Sequence, residues 1–593
     1  MTLDALVVGA GPVGLTMAAE LGRHGLSCRI IDMNEGPSLW SKAQIIHART
    51  LEVLDDAGLV APILERGRPI TGASFFSPTM ERVGGFTIGE IDSHYPYLMS
   101  LSQRETEIAL AEVLAGRGTR VERKTRLEAF TQDAGGVTAT LATGDGKTEE
   151  VRAAYLLGCD GSHSAVRKGL GLPFEGSTYP VRIIQADVRI DMPVPLTDEF
   201  GIFLGPKGML ALFPLPGDRR FRMLSFLEPN EPDFELPVEL PSFKHLMAER
   251  GPTGAVVSDP AWMIDFRIHC RLAPRYRQGR VFLAGDAAHI HSPAGGQGMN
   301  MGIQDAYNLA WKLGLAHRGK GKEILLDSYE AERRPVAEAT LRATDAATKG
   351  LQAMLALKNP VAVELRNHIF GVVTSLGFVR ARATRTVSML EVGYPKSPIV
   401  AQDQPPLWSV RLVGGEEERP SLGDWMHFGD GPAPGIRTPD VPLGPGAPRS
   451  TRRAFTISGE PRSTRNPQPA SDGLERLHDA LRGTHHTLLL FDGPQQTGGG
   501  YERFSRITET ARARAGDLVR TFVVVPGGER PEGLAPEASV LFDPEGELHR
   551  RFGARSECLY LVRPDGYVGY RCQPADEHRF AAYLERIFTT AQA

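Results

Sequence analysis

The opening of this chain leaves little choice of supersecondary structure. Asp4-Ala5-Leu6-Val7-Val8 reads as a short buried strand, and residues 12 to 24 as a helix with Val13, Leu15, Met17, Ala18 and Leu21 apolar. Cys28-Arg29-Ile30-Ile31 is a second strand ending at Asp32. Between strand and helix stands Gly9-Ala10-Gly11-Pro12-Val13-Gly14. Gly9 permits the tight turn, and Gly11 lets a pyrophosphate approach the backbone at the helix N-terminus beside Pro12. Gly14 lets helix and strand pack closely. Asp32 stands where a carboxylate accepts the ribose hydroxyls of an adenosine. The unit predicts a dinucleotide fold, and by itself does not separate FAD from NAD.

At 593 residues the chain is too long for one domain, and three or four are expected. Its 41% hydrophobic and 23% charged residues are those of a soluble globular protein. A net charge of −4 and the lack of a long basic run argue against nucleic acid as a partner. Cys28, Cys159, Cys270, Cys558 and Cys572 form no CxxC, which fits reduced thiols in a cytoplasm. No Cys/His set has metal-ligand spacing, so no metal is expected. Residues 5 to 19 are apolar but lack a basic leader, and no run reaches the roughly 18 apolar residues of a membrane span. No stable membrane association is expected.

Further along, a helix is predicted near 47 to 58, another over 104 to 115, and short strands with turns from 119 to 157. Residues 175 to 270 read as strands (Val181 to Ile190, Gly201 to Leu204, Met209 to Phe213, Phe221 to Phe226) with a helical patch at 240 to 250. An antiparallel sheet domain inserted into the dinucleotide fold is the simplest account. Val281-Phe282-Leu283-Ala284 resumes that fold, and a long helix is predicted from about Gly302. Residues 431 to 472, dense in Pro, Gly, Ser and Arg, read as linker. A fresh α/β pattern follows.

Two more motifs accompany the first. One is Cys159-Asp160-Gly161-Ser162-His163-Ser164-Ala165-Val166-Arg167. The other runs from Gly285-Asp286-Ala287-Ala288-His289 through Pro293, Gly295, Gly296, Gln297, Gly298 and Asn300 to Asp305-Ala306. The glycines at 295, 296 and 298 allow a backbone approach to a planar ring. The helix that follows points its positive end at that ring, where a reduced flavin is negative. Pro293 fixes the loop near the reacting edge.

In this order and spacing, residues 1 to about 385 resemble the aromatic-ring hydroxylases. These are single-component FAD-dependent monooxygenases similar to phenol and para-hydroxybenzoate hydroxylases. Asp160 and Gly161 resemble the family's DG motif, between flavin and nicotinamide sites. Gly285 and Asp286 resemble its GD motif, whose aspartate binds the ribityl chain. The resemblance implies FAD held by Gly9, Gly11, Pro12, Gly14, Asp32, Asp160, Gly161, Gly285, Asp286, Pro293, Gly295, Gln297, Gly298, Met299 and Asn300. Gln103 falls where relatives place a flavin-contacting Gln. Arg49, in a recurring Arg-Thr-Leu-Glu pattern, either neutralises a phosphate or pairs with a neighbouring acid. Lys42 stands where many relatives carry an Arg near the cofactor.

Hydroxylating a phenol needs its oxygen deprotonated or hydrogen-bonded to a base. Phenol hydroxylases use an Asp near the Arg-Thr-Leu-Glu helix. The equivalent Ala43-Gln44-Ile45-Ile46 has none, so no base is named by motif. Catalytic candidates are Pro293, Gly295 and Gly296. To these are added Arg222, His47, His94 and Tyr97, for each of which a structural place is the stronger reading.

The C-terminal part resembles the thioredoxin-like domain of the phenol hydroxylase branch. It has Asp492-Gly493-Pro494-Gln495-Gln496 where a redox thioredoxin carries CxxC. The resemblance implies a structural or homodimer-forming role. The fold class expected is α/β (α+β overall), a Rossmann-like FAD-binding domain with an inserted antiparallel β-sheet substrate domain and a thioredoxin-like domain. FAD-binding parts are expected at 1–74, 99–175 and 273–395, substrate-domain parts at 75–98 and 176–272, a linker at 396–472 and the thioredoxin-like domain at 473–593. The activity implied is NAD(P)H- and O2-consuming hydroxylation of a phenolic or polycyclic, polyketide-like aromatic through a flavin C4a-hydroperoxide. Alternatives are the same chemistry giving an epoxide or a Baeyer–Villiger product, or a flavin-binding regulatory or scaffold protein.

Overall fold

The strand Leu3–Val8 lies inside a parallel sheet, between Cys28–Ile31 and Thr148–Gly158. Ala5 to Val8 are buried, as a strand covered on both faces requires of its residues. Val121–Glu122 extends the sheet beyond Cys28–Ile31, and Val281–Leu283 beyond Thr148–Gly158. The hairpin Arg126–Asp133 and Gly136–Ala142 folds back antiparallel on Thr148–Gly158. This computed structural model describes residues 3–39, 43–77, 79, 81–88, 91–193, 196, 198–205, 207–293, 295–355, 359, 368–369, 373–374, 376–404, 422–443, 474–493 and 500–589.

The chain forms two compact units. The first is Met1–Ile91, Tyr95–Ala310 and Arg333–Leu390; the second is Asp92–His94, Trp311–Glu332 and Glu391–Ala593. Trp311–Glu332, which the sequence assigns to the N-terminal fold, groups with the second unit. There Trp311, Leu315 and Leu325 share a core with Leu488, Leu559 and Phe580.

A second sheet in the first unit is built on Glu175–Asp191 and Val256–Leu272, antiparallel along most of their 17 residues each. Arg220–Leu227, Gly208–Pro214 and Glu199–Gly205 follow in order, then Gly72–Phe76 and Arg82–Thr87. Alternation sorts the central strand. Ile184, Ala186, Val188 and Ile190 join a core with Phe243, Leu246 and Met247 of the helix Leu240–Arg250. Ile183, Gln185 and Asp187 therefore face the other way.

In the second unit, His486–Phe491 pairs parallel with Val519–Pro526, which pairs parallel with Val540–Asp543. On its other side stand the antiparallel Cys558–Val562 and then Val568–Cys572. The helices Gly500–Ala515 and Glu577–Ile587 cover one face through Phe504, Ile507, Phe580 and Leu584. Ala401–Asp403, inside the expected linker, adds a strand beside Val568–Cys572. Most of 431–472 lies outside the described residues.

Candidate functional site

The three glycine motifs meet in space. Val8 pairs with Gly158, which brings Gly9 against Cys159. Gly9 has φ +98°, and a Cβ there would lie 2.4 Å from the Cys159 carbonyl oxygen. A Cβ at Gly14 would lie 1.9 Å from the Gly9 carbonyl oxygen. Val13 wedges against the third motif: a Cβ at Gly285 would come within 2.8 Å of it, and one at Gly302 within 2.4 Å.

All three motifs open onto one cavity of about 1680 Å³. Gly11, Pro12, Gly161 and Asp286 line it, as do Pro293 and Gly295 to Met299. A Cβ at Gly11 would touch nothing within 4 Å, so the backbone there is open to the cavity as a pyrophosphate needs. The helix Gly298–His317 presents its N-terminus to the same space. It begins four residues before the expected Gly302, so Gly298, Met299 and Asn300 form its first turn. A cradle of bare backbone, an exposed carboxylate at Asp286 and a positive helix end fit FAD.

The cavity continues over the second sheet. Phe200, Phe213, Leu224, Phe226 and Phe266 give it an apolar wall, broken by Gln44, Gln185 and Arg222. Arg222 is held by Asp187, its cross-strand partner, through Nε at 2.7 Å and Nη2 at 2.9 Å, and donates through Nη1 to the Ala43 carbonyl at 3.0 Å. It lies 5.0 Å from the Trp262 ring centroid. A guanidinium so paired cannot serve as a base.

Several residues expected at the cofactor are also bonded to the protein's own groups. Asp160 caps the helix Ala165–Gly169, accepting from Ser164 Oγ at 2.6 Å and from the backbone N–H groups of Ala165 and Val166. Burial raises its carboxyl pKa. Asp32 accepts from Ala10 N at 2.7 Å and Asn34 N at 2.8 Å, bracing the glycine turn. Asn300 accepts from His47 N at 2.8 Å and donates to the carbonyls of Ile45 and Gly296. Arg49 is paired with Glu52 at 3.0 Å and does not line the cavity. Gln103 lines it while tied to Ala43 and Glu107. Lys42 lies outside the described residues.

His47 stands behind the loop. Its ring contacts the carbonyls of Val387 and of Gly296, the latter at 3.0 Å, and burial lowers its pKa. Tyr97 is buried, with its hydroxyl pushed up to about 12 by desolvation, and does not line the cavity. His94 groups with the second unit.

Asp305 went unassigned in the sequence. It accepts from Gly285 N at 3.0 Å, from His289 at 2.7 Å and from Arg333 Nε at 2.6 Å, and so fixes the turn that carries Asp286. Burial works against its charge, but Arg333 and His289 hold its carboxyl below the usual range. His291 also lines the cavity, with Nδ1 on the Ser292 carbonyl at 2.9 Å. Burial pushes its pKa down to about 4. Its proximity to the glycine loop was the only signal for it in the sequence.

With this geometry stand the comparisons. Residues 2–344 match the model of a family described as an FAD binding domain. The chain is 32% identical to 6-methylpretetramide 4-monooxygenase of Streptomyces rimosus, over 98% of this chain and 93% of that protein. It is 31% identical to pentachlorophenol 4-monooxygenase of Sphingobium chlorophenolicum, over 95% and 93% respectively. Among solved structures, the anhydrotetracycline hydroxylase OxyS of Streptomyces rimosus superposes with a TM-score of 0.69 at 29% identity, covering 100% of both chains.

Proposed function

The chain belongs to the FAD-dependent monooxygenases, and from that premise we propose that it hydroxylates a phenolic, polycyclic aromatic at the expense of NAD(P)H and O2. The observation that carries the substrate class is the continuity of one cavity from the glycine motifs to an apolar wall of five aromatic and aliphatic side chains. Similar proteins are named for a pretetramide, a chlorinated phenol and an anhydrotetracycline, all ring systems that such a wall accepts.

In this reading Gly11 and Pro12 take the pyrophosphate, Asp286 accepts from the sugar-alcohol chain, and Gly295 to Met299 lie along the ring system. FAD, when bound, supplies the electron transfer from the reduced dinucleotide to O2. The chain's own work is orientation and charge placement. Asp305 fixes the Asp286 turn from below. Asn300 and His47 tie the Gly296 carbonyl to the segment at 45–47. The N-terminal turn of Gly298–His317 favours negative charge at the loop. Phe200, Phe213 and Phe266 keep water from the reacting ring. Arg222, neutralised by Asp187, offers polarity without a net charge where the substrate's oxygens lie.

The order of the C-terminal strands, with Val519–Pro526, Val540–Asp543 and Val568–Cys572 running parallel to His486–Phe491 and Cys558–Val562 antiparallel, supports a thioredoxin-like reading without a dithiol. Cys558 and Cys572 are free and sit in the cores on opposite faces of the sheet. Five unpaired cysteines fit a reducing cytoplasm.

The test is NADPH and NADH oxidation by the yellow protein over a panel of phenols and hydroxyquinones. Oxidation stimulated by an aromatic, with a product heavier by one oxygen, supports the proposal. A flavoprotein whose dinucleotide oxidation no aromatic stimulates refutes it.

A further inference from the structure

From Arg333 onward the helix Ile324–Leu355 lies over the cavity face of the second sheet. Leu341 packs on the cluster of Tyr179, Ile183 and Ile268. Three side-chain ties fix the helix there: the Tyr179 hydroxyl on Asp345, Ser292 Oγ with Thr348 Oγ1 at 2.9 Å, and Gln352 Nε2 on Glu228 Oε1 at 3.2 Å. Between these ties the helix faces the cavity with Ala347 and Gly350, one turn apart.

Gly350 has no conformational reason to be glycine. It lies within a helix, where glycine is the poorest residue after proline, and its φ is not positive. Nor does a close neighbour demand it, since a Cβ there would meet nothing within 4 Å. What its missing side chain provides is room. The same cavity also holds a group that asks for a ligand. His291 is 9% exposed, donates from Nδ1 to the Ser292 carbonyl, and has no partner for Nε2 among the described residues. With Nδ1 protonated, Nε2 is an acceptor, and a hydroxylated ring supplies the donor.

We propose that Ala347 and Gly350 determine how many fused rings the enzyme accepts, the extended end of the substrate passing between this helix and the wall of Phe226 and Phe266. The inference rests on the aromatic-substrate reading above and sharpens it. Short substrates reach the loop without touching the helix. Longer ones run beneath it, and a branched side chain at either position closes the gap.

The experiment uses FAD-loaded enzyme carrying Gly350→Leu or Ala347→Leu. Leucine is a good helix former, so neither change opposes folding. A single-ring phenol and a linear four-ring phenol are titrated into each protein, and binding is read from the perturbation of the flavin absorbance. The four-ring phenol is expected to bind at least about tenfold more weakly to the variants, with the single-ring phenol changed by less than about threefold. Steady-state KM values should divide in the same way. Equal weakening of both phenols, or no change in either, overturns the proposal while leaving the hydroxylase reading intact. A wild-type protein that binds neither phenol overturns both.

Discussion

Replacing Asp187 by asparagine removes the charge that neutralises Arg222 and leaves its shape. The Arg222 side chain is 3% exposed and the Asp187 side chain 9%, so water cannot take over the lost interaction. Arg222 would keep the Ala43 carbonyl at 3.0 Å and the Trp262 ring, but both of its charge-assisted bonds to Asp187 would weaken. Removing one partner of a buried pair costs about 3–5 kcal/mol. The amide oxygen still accepts one bond, so the lower end is expected, about 3 kcal/mol or roughly a hundredfold in the folded-to-unfolded ratio. Asp187→Leu with Arg222→Met removes both charges and should recover stability to within about 1 kcal/mol of wild type. The assay is urea denaturation of the FAD-loaded protein, followed by flavin fluorescence, for wild type, Asp187→Asn and the double variant. A cost below about 1 kcal/mol for Asp187→Asn, or a double variant as weak as the single, would refute the buried-pair argument.

Other changes have equally definite outcomes. Gly14→Ala places a Cβ 1.9 Å from the Gly9 carbonyl oxygen, so the protein should purify colourless, as its visible spectrum will show. Asp286→Ala removes the carboxylate proposed to accept from FAD and should weaken FAD roughly ten- to a hundredfold, measured by equilibrium dialysis of the apoprotein with FAD. His291 falls from 6.5 to about 4 on burial, so the unfolded chain takes up its proton first. The stability from this group is full above pH 6.5 and is lost as the pH falls towards 4, in total about 3 kcal/mol. His291→Gln should flatten the Tm profile across that window. Cys558→Ala with Cys572→Ala should leave turnover unchanged under oxidising and reducing conditions, because these thiols lie on opposite faces of one sheet.

What was legible in the sequence was local. The turn at Gly9 to Gly14 announces itself because strand, glycines and helix are contiguous, and the structure supplies for Gly9 and Gly14 the close backbone approaches that their type implies. Asp160, Asn300 and Arg49 show the limit. Each is a polar residue in a motif, and a motif does not say whether its hydrogen bonds end on a ligand or on the protein's own backbone. Asp160 accepts from the N–H groups of a helix start, and Asn300 bonds three groups of neighbouring segments. Arg49 ends on Glu52. The partner of Arg222 was illegible for another reason: Asp187 lies 35 residues earlier, and only strand register places it opposite. The role of Asp305 is likewise tertiary, since its three partners come from 285, 289 and 333. Trp311 reads as a continuation of the helix it sits on, yet packs in the core of the second unit.

The central claim is that this chain uses O2 to place one oxygen on an aromatic ring. Turnover of the FAD-loaded enzyme with NADPH and a polycyclic phenol under ¹⁸O2 tests it directly. The account predicts a hydroxylated product carrying one labelled oxygen, formed in proportion to the dinucleotide consumed. An oxidised product whose new oxygen is unlabelled, or dinucleotide consumption that yields only peroxide with every phenol, would contradict it.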